Sequence, residues 1–598
     1  MTASVMEENC PLEHPVQPDF EVDAGTEGPD HQTKRSTEYT TENYKVELAN
    51  LPNKLKFHVV KNILERQFKI NPHKIRLGQG KAFITFKNQS ERDDAIQKLN
   101  NQDWKGRTLS AHVAPPRDDL VAKRRKVEDG SSNGEKPAPD QRSDDTISDE
   151  DINNQVCPFF KTSYDDQIMF KDQLMRSILN MSRHVLKLAP NIKTDEPTLF
   201  DWAKKNHKIC CQFDGVMRSP VLQGYRNKCE FNIGHDGEVG FKIGRYKNGS
   251  DRICRPPRDC PILTEKIHHI LDVFREFLKD KSKLKGFDLV THEGYYRQLT
   301  IRRNQKDEYL IIVDLHPQDL SKEDLEVEKK ALANDLKEID GVVSIFFNIS
   351  DKSSFSSTNQ SLELVYGSDS LVEELSVDPD RPLKFRIGPA SFFQVNTKAA
   401  ELLYRSVIEL ANLGPKSFVL DVGCGTGTIG LSLARQVNYV IGIEIVAEAV
   451  EDAKVNARNN GIENISFYAG KAEDLIGETL RIMRNKIEFQ KLGEEAEIVA
   501  IVDPPRVGFN SSFIKTIRAS NIQKLIYIAC DPKANTNLLT LCRPRSKAYQ
   551  GDPLVPVRAK AFDLFPYTKF CELVIVYERL SRVSKEDMKA ESRPTENI

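Results

Sequence analysis

The sequence predicts an α/β protein whose C-terminal third is an open α/β sheet flanked by helices. The segment FVLDVGCGTGTIGLSLA at 418–434 has the pattern of an apolar strand, a glycine turn and the start of an amphipathic helix, and further short apolar strands follow it. A separate small domain is predicted between Tyr44 and about Pro115, where the order is strand, helix, strand, strand, helix, strand. With 598 residues, the chain is long enough for three or four domains.

The glycine turn is a candidate ligand site. Gly423, Gly425 and Gly427 remove side chains where the backbone must pass close to a ligand, and Asp421 closes the preceding strand with a carboxylate. The next strand, YVIGIEI, ends in Glu444, which is well placed to accept hydrogen bonds from both ribose hydroxyls of a nucleoside. A glycine-rich turn alone also occurs in dinucleotide sites, so the turn by itself leaves the ligand open.

Acidic residues also close the next two strands. The segment GKAED at 470–474 follows the third strand, and DPP at 503–505 ends the fourth. The order DxGxGxG, acid, acid, DPP resembles class I S-adenosylmethionine (AdoMet) methyltransferases, whereas a Rossmann dehydrogenase more often shows GxGxxG without the DPP strand. The resemblance implies a Rossmann-like methyltransferase domain that binds AdoMet through Asp421, the three glycines and Glu444.

Cys530 is a candidate nucleophile. It follows the predicted buried strand Leu525 to Ala529, and a thiol at the C-terminal end of a strand in such a sheet points into the crevice where ligands bind. An amino-group methyltransferase usually has an aromatic residue after DPP, where this chain has Arg506, and RNA cytosine-C5 methyltransferases have a cysteine in the DPP strand itself. DPPR followed by ACDP instead resembles the uracil-C5 RNA methyltransferases.

Resemblance to the uracil-C5 family implies a covalent mechanism. A thiolate from Cys530 adds to C6 of uracil and turns the ring into an enolate, C5 takes the methyl group, and a base removes the C5 proton. The segment FDLFPYTKFCELVIVYER matches the family pattern of FP, Thr and a Glu that opens the final strand, which assigns the base to Glu572. Phe570 stands where the family frequently has a His. Nearby positive or hydrogen-bonding groups are expected to lower the pKa of the thiol.

A further family signature, F-x-Q-V-N, lies in FRIGPASFFQVNTKAA. The resemblance implies that Gln394 belongs to the AdoMet site and that Phe392 stacks on the target base. It also implies that Asp503 lies between AdoMet and uracil and that Arg506 binds the substrate.

The charge of the chain is unevenly distributed. The 86 basic and 88 acidic residues give a net charge of −2, so no overall basic excess indicates a polyanionic partner. The stretch from Ala203 to Arg258, however, carries twelve Lys and Arg against five acids, with aromatic residues between them. This pattern predicts an RNA-binding surface, with a solvated face as the alternative.

The cysteines and the termini bear on the cellular compartment. Eleven cysteines at irregular spacing form no disulfide framework, and without a CxxC pair no metal site is predicted. There is no apolar run of eighteen residues and no secretory signal, so we expect a soluble protein of the nucleus and cytoplasm. The run KRRK at 123–126 is a candidate nuclear-import signal, although RNA contact explains it equally well.

The predicted N-terminal domain resembles an RNA recognition motif, which has a ferredoxin-like fold. Glu47 and Lys81 stand where that family places stacking aromatic residues, which leaves Phe83. The domain is therefore expected to bind RNA weakly, to use another face, or to contact proteins.

The whole predicted organisation is a disordered acidic tail at 1–43, an RNA recognition motif at 44–115, a linker at 116–154, a strand-rich α+β RNA-binding region at 155–384, the class I methyltransferase domain at 385–580 and a disordered tail at 581–598.

Together these patterns predict an enzyme that transfers a methyl group from AdoMet to C5 of uridine in RNA. The resemblance implies uridine 54 in the T loop of tRNA as the target. Two alternatives remain: the same chemistry on ribosomal or messenger RNA, and an RNA-binding protein that has kept a methyltransferase fold without turnover.

Overall fold

The computed structural model describes residues 44–583 except 53–56, 71, 73, 78–79, 87, 105, 115–146, 186, 188–191, 207, 244–251, 289–290, 352–361, 507 and 533–536. The predicted tail 1–43, most of the tail 581–598 and most of the linker 116–154, with its basic run, lie outside these residues. The chain divides into two compact units, Met1–Asn133 and Gly134–Ile598.

The N-terminal unit has the predicted strand and helix order. Its elements are β1 (Lys45–Ala49), α1 (Phe57–Asn62, continued by a π-helical turn), β2 (Lys74–Leu77), β3 (Ala82–Thr85), α2 (Gln89–Leu99), β4 (Asp103–Trp104), β5 (Arg107–Thr108) and β6 (Ser110–Val113). The long strands pair antiparallel in the order β2-β3-β1-β6, which is the ferredoxin-like arrangement.

Glu47 and Lys81, the residues expected to replace stacking aromatics, pair with each other. Lys81 Nζ donates to the Glu47 carboxylate at 2.7 Å, and Glu47 lies directly opposite Phe83 in the β1-β3 ladder. The ammonium group of Lys45 lies 5.7 Å from the centroid of the Phe83 ring. This face of the sheet therefore surrounds the Phe83 ring with charged groups.

The larger unit contains two large sheets. Its helices are α3 (Asp149–Val156), α4 (Tyr164–Leu179), α5 (Ser182–Val185), α6 (Ile192–Asp195), α7 (Pro197–Lys205), α8 (Glu265–Asp280), α9 (Lys322–Leu336), α10 (Thr397–Ala411), α11 (Thr428–Ala434), α12 (Ala447–Asn459), α13 (Ala472–Phe489), α14 (Ser511–Ala519) and α15 (Asn537–Thr540). Its strands are β7 (Gln212–Met217), β8 (Lys228–Ile233), β9 (Val239–Ile243), β10 (Arg252–Cys254), β11 (Tyr296–Arg303), β12 (Tyr309–Leu315), β13 (Val342–Ile349), β14 (Leu362–Gly367), β15 (Leu371–Leu375), β16 (Leu383–Ile387), β17 (Ser417–Val422), β18 (Tyr439–Glu444), β19 (Ile465–Ala469), β20 (Glu497–Val502), β21 (Lys524–Ala529), β22 (Leu554–Phe562) and β23 (Glu572–Arg579).

The central sheet has the order β10-β9-β8-β11-β12-β13-β14. Its strands are antiparallel except for the parallel pair β12 and β13, which α9 connects. Helices α8 and α9 pack together, and both contribute buried residues to the apolar core under this sheet. The predicted strand-rich α+β region is therefore present.

The C-terminal sheet has eight strands in the order β19-β18-β17-β20-β21-β23-β22-β7. Strands β17 to β21 are parallel, and β23 runs antiparallel between β21 and β22. All residues of β17 and β21 are buried, which explains why their sequences are continuous apolar runs rather than alternating ones. The strand order reverses between β17 and β20, and ligands bind at such a point in open α/β sheets.

Two predicted boundaries differ from the structure. Strand β7 is the edge strand of the C-terminal sheet, and helices α4 to α7 contribute buried residues such as Met175 and Trp202 to its core, so part of the predicted region 155–384 belongs with the methyltransferase sheet. The predicted linker 116–154 also contains the start of α3, because Ser148 caps that helix through a reciprocal capping box with Asp151. In the described part of the chain, no helix is long and apolar enough to cross a membrane.

A buried ion pair ties α4 to the loop between β22 and β23. Lys171 Nζ donates to Asp563 Oδ1 at 2.5 Å and to the carbonyl of Phe565 at 3.1 Å, and both charged side chains are fully buried. Tyr164 donates its hydroxyl to the other Asp563 oxygen at 3.0 Å. Because breaking a buried pair leaves one uncompensated charge, these contacts fix the loop to the helix.

We predict that Asp563→Ala lowers stability by about 3 to 5 kcal/mol, because it leaves Lys171 charged and buried without a partner. Asp172→Ala is the matched control, since it removes the partly exposed pair with Arg176 on the same helix and is expected to cost under about 0.5 kcal/mol. Urea unfolding of the three proteins measures the difference. Equal loss in both variants would contradict the structural importance of the buried pair.

Candidate active site

A cavity of about 990 Å³ lies at the carboxyl ends of the C-terminal strands and reaches the central sheet. Its walls include Gly423 after β17, Glu444 at the end of β18, Asp503 after β20 and Cys530 after β21. The remaining predicted site residues that line it are Phe392, Gln394, Gly425, Arg506 and Glu572. Segments separated by more than a hundred residues in sequence therefore form one site.

The glycine turn packs against the strand that ends in DPP. Gly423 has a φ of 78°, and a Cβ there would lie 2.9 Å from the carbonyl oxygen of Asp503, so a side chain would force the two segments apart. Asp421 and Gly427 do not line the cavity. Asp421 is buried and accepts a hydrogen bond from Gly430 N at 2.9 Å, and Gly427 is the N-cap of α11, so both residues shape the turn without lining the cavity.

Glu444 connects the turn to the next strand. Its two carboxylate oxygens accept hydrogen bonds from Gly425 N at 3.1 Å and from Val446 N at 3.0 Å. A carboxylate has about four acceptor sites, so both oxygens can still accept hydroxyl donors from a ligand. The next residue, Ile445, is 66% exposed and lines the cavity, which provides an apolar surface for a planar ring. Sequence reasoning missed Ile445, although its position directly after the acid was a usable signal.

The F-x-Q-V-N segment is held by the central sheet. The side-chain amide of Asn227 donates to the Gln394 carbonyl at 2.8 Å, and Asn227 N donates to the Val395 carbonyl at 2.9 Å. Asn396 caps α10. Two residues before the first of these anchors, Phe392 is 66% exposed and lines the cavity. The sequence carried no signal for Asn227.

Three ionisable groups that line the cavity have raised pKa values: Asp503, Glu572 and Cys530. Burial raises the pKa of Asp503 to about 7. Burial, with Asp503 adding to it and Arg506 opposing it, raises the pKa of Glu572 well above its usual range. Burial first, and then Glu572 and Asp503, raise the pKa of the Cys530 thiol to about 12, against the opposing effect of Arg506. The expectation that neighbours lower the pKa of Cys530 is therefore wrong for the protein alone, because burial and two acids outweigh one cation.

Glu572 has an unsatisfied carboxyl oxygen. The residue is 2% exposed, and its Oε2 has no hydrogen-bond partner among the described residues. A buried polar atom without a partner costs stability and is found where a ligand or a proton is handled. Glu572 opens β23, directly after the loop fixed by Lys171 and Asp563.

Some basic residues of the predicted basic stretch pair with acids. Arg255 and Arg258 both pair with Asp272 on α8, and Lys228 pairs with Glu230 at 2.6 Å. Part of the stretch lies outside the described residues. The role of this stretch in RNA binding therefore stays a prediction.

The residues that line the cavity suit an organic ligand that has hydroxyl groups and a positive charge. Gly423 and Gly425 of the glycine turn line it, together with the acidic residues Glu444 and Asp503. Within the ranges that the structure describes, no cluster of three or more His, Cys, Asp or Glu could hold a metal ion. These features fit the ribose and the sulfonium group of AdoMet.

Comparison with known proteins identifies one family over most of the chain. The chain matches the family described as tRNA (Uracil-5-)-methyltransferase over residues 206–580. It is 38% identical to human tRNA (uracil-5-)-methyltransferase homolog A over 560 residues, which cover 91% of this chain and 84% of that protein. It is 33% identical to mouse tRNA (uracil-5-)-methyltransferase homolog B over 439 residues, which cover 71% of this chain and 85% of that protein.

Among solved structures, the chain is similar to that of Pyrococcus abyssi tRNA (uracil-54, C5)-methyltransferase in complex with S-adenosyl-L-homocysteine, with 20% identity, a TM-score of 0.49, and coverage of 69% of this chain and 83% of that chain. The family match covers more than half of the chain, and the relatives span most of its length. The chain therefore belongs to the tRNA (uracil-5-)-methyltransferase family and is an AdoMet-dependent methyltransferase, as its sequence predicts.

Proposed function

We propose that this protein methylates C5 of uridine 54 in the T loop of tRNA through a covalent adduct with Cys530. The observation that carries the proposal is that Cys530 and Glu572 line the same cavity as the glycine turn and Glu444. The human relative named tRNA (uracil-5-)-methyltransferase homolog A, which aligns with 91% of this chain, supports tRNA as the substrate. The choice of position 54 rests on the family resemblance of the motifs.

Cys530 activates the base. Its sulfur forms a bond to C6 of uracil, the π electrons of the C5–C6 double bond move onto C5 and O4 as an enolate, and the thiol proton passes to water. Bound AdoMet supplies the methyl group that C5 then takes. Because the pKa of Cys530 is raised to about 12 in the protein alone, the thiol must lose its proton as the adduct forms.

Glu572 completes the reaction. It accepts the proton from C5, which restores the C5–C6 double bond as the sulfur leaves C6. Its free Oε2 and its position in the cavity support this assignment. Phe392 stacks on the uracil, and Asp503 accepts hydrogen bonds from the base or from AdoMet.

Bringing uridine 54 to Cys530 requires a change in the RNA. A T-loop uridine is stacked within the tertiary structure of tRNA, so it must flip out at a cost of a few kcal/mol. The exposed ring of Phe392 offers the flipped base a stacking partner that replaces part of what it loses.

The direct test is incubation of the protein with labelled AdoMet and unmodified tRNA, followed by mapping of the methylated base. We expect 5-methyluridine at position 54 and no transfer to a tRNA with cytidine at that position.

Cys530→Ala should lose activity at least about 10³-fold while it still binds AdoMet. Cys254→Ser, a partly exposed cysteine outside the cavity, is the control and should remain active. Methylation of another RNA, or full activity of Cys530→Ala, would refute the proposal.

Glu572→Gln should form the adduct, transfer the methyl group and then stall, because no group removes the C5 proton. The measurement is a protein–RNA band that survives denaturing electrophoresis and requires Cys530. Glu578→Gln, on the same strand, should turn over normally. Lost turnover without an adduct, while RNA still binds, would assign Glu572 to binding instead.

Glu444→Ala should weaken AdoMet binding about tenfold or more, because hydrogen bonds to a charged carboxylate contribute about 1.5 to 3 kcal/mol each. Calorimetry measures this affinity, and tRNA affinity should stay nearly constant. Glu448→Ala, exposed at the start of α12, is the matched control. An unchanged affinity for AdoMet in Glu444→Ala would remove Glu444 from the site.

A further inference from the structure

Phe570 places an exposed phenyl ring at the edge of the cavity. It lies in the loop between β22 and β23, is 49% exposed and lines the cavity. Phe565 supports it from one side, with ring centroids 6.3 Å apart at an angle of 76°. Phe565 is itself held through its carbonyl, which accepts from Lys171. The Phe570 ring therefore packs on a residue whose position is fixed. The covalent chemistry does not itself require a phenyl group there.

Arg506 lies beside this ring. Its guanidinium carbon is 5.6 Å from the centroid of Phe570, within the range of a cation–π contact. The side chain of Arg506 is exposed, and it forms no ion pair with any residue that the structure describes. A long, exposed side chain without an ionic partner has many rotamers available, so the ring is the observed contact that restrains the guanidinium.

The charged groups that act on Cys530 come from two segments. Glu572 opens β23, Asp503 follows β20, and Arg506 follows Asp503 within the DPPR segment. Arg506 is the cation that lowers the pKa of both Cys530 and Glu572, against the acids. Its electrostatic effect depends on its distance from these groups, and hence on what holds it.

We propose that Phe570 is a positioning residue, whose ring holds the Arg506 guanidinium beside Cys530 and Glu572 so that their negative charges are stabilised. This role of Phe570 rests on the proposed function, because only the adduct chemistry needs negative charge on both Cys530 and Glu572. The contact itself does not depend on RNA or AdoMet. Its electrostatic effect can therefore be measured in the protein alone.

The test is the rate at which iodoacetamide alkylates Cys530 between pH 7 and pH 9, followed by mass spectrometry of the Cys530 peptide. The full chain is used without RNA or AdoMet, and Cys254 serves as the internal reference. The variants are Arg506→Gln, Phe570→Leu and Phe570→Tyr. Phe570→Leu removes the ring and opens the cavity. Easier access of iodoacetamide to Cys530 would speed alkylation, whereas the proposal predicts slower alkylation.

Arg506→Gln should alkylate about threefold more slowly. Loss of a nearby cation raises the thiol pKa by about one unit, which lowers the thiolate fraction tenfold, while the higher pKa raises intrinsic reactivity about threefold. Phe570→Leu should be slowed in the same direction, and Phe570→Tyr, which keeps the ring, should retain the wild-type rate. Methylation of tRNA by each variant is measured in parallel.

Two results would overturn the proposal. One is a wild-type alkylation rate in Phe570→Leu together with reduced methylation, which would assign the ring to contact with RNA. The other is equal slowing in Phe570→Leu and Phe570→Tyr, which would show that the ring is not what matters. If alkylation follows the expected order but even the wild type methylates no tRNA, the positioning role stands and the proposed function fails.

Discussion

The buried ion pair between Lys171 and Asp563 is the constraint on which the reactive wall of the cavity depends. It joins α4, which precedes the central sheet in sequence, to the end of β22, almost four hundred residues later. Gln167 accepts from Tyr567 N at 2.8 Å and thus fixes the same loop at a second point. The loop leads directly into Glu572, so a helix that shares no sequence motif with Glu572 fixes its position.

The electrostatics of the cavity have a chemical consequence. Burial raises the pKa values of Asp503, Glu572 and Cys530, because it disfavours negative charge. Asp503 raises the pKa of Glu572 further, and both acids raise that of Cys530, with Arg506 as the opposing cation. In the protein alone, the raised pKa of Cys530 therefore favours the protonated thiol.

Much of the fold and most of the cavity could be predicted from the sequence, for local reasons. The glycine turn, the DPP segment and Cys530 each follow an apolar strand, and the C-terminal ends of parallel strands meet at one edge of a sheet. The roles of Asp421 and Gly427 in shaping the turn were not predicted, because a motif shows which residues occur together and not which face the ligand. Strand β7 was assigned to the wrong region because sequence order does not reveal that a strand far upstream pairs with β22.

The pKa of Cys530 shows a different limit of sequence reasoning. A functional nucleophile suggested an activated thiol, but the balance of burial and charge depends on distances between residues far apart in sequence. The same holds for the contact between Arg506 and Phe570, since Phe570 appears in the sequence only as a departure from a frequent His.

The central claim is that Cys530 bonds to C6 of the target uridine. Incubation with AdoMet and tRNA that contains 5-fluorouridine tests it most directly, because fluorine at C5 cannot be removed as a proton and the adduct cannot resolve. We expect a stable complex in which mass spectrometry maps the nucleotide to Cys530 and the modified position to uridine 54. An adduct on another residue, or bound and methylated RNA with no covalent link, would contradict the account.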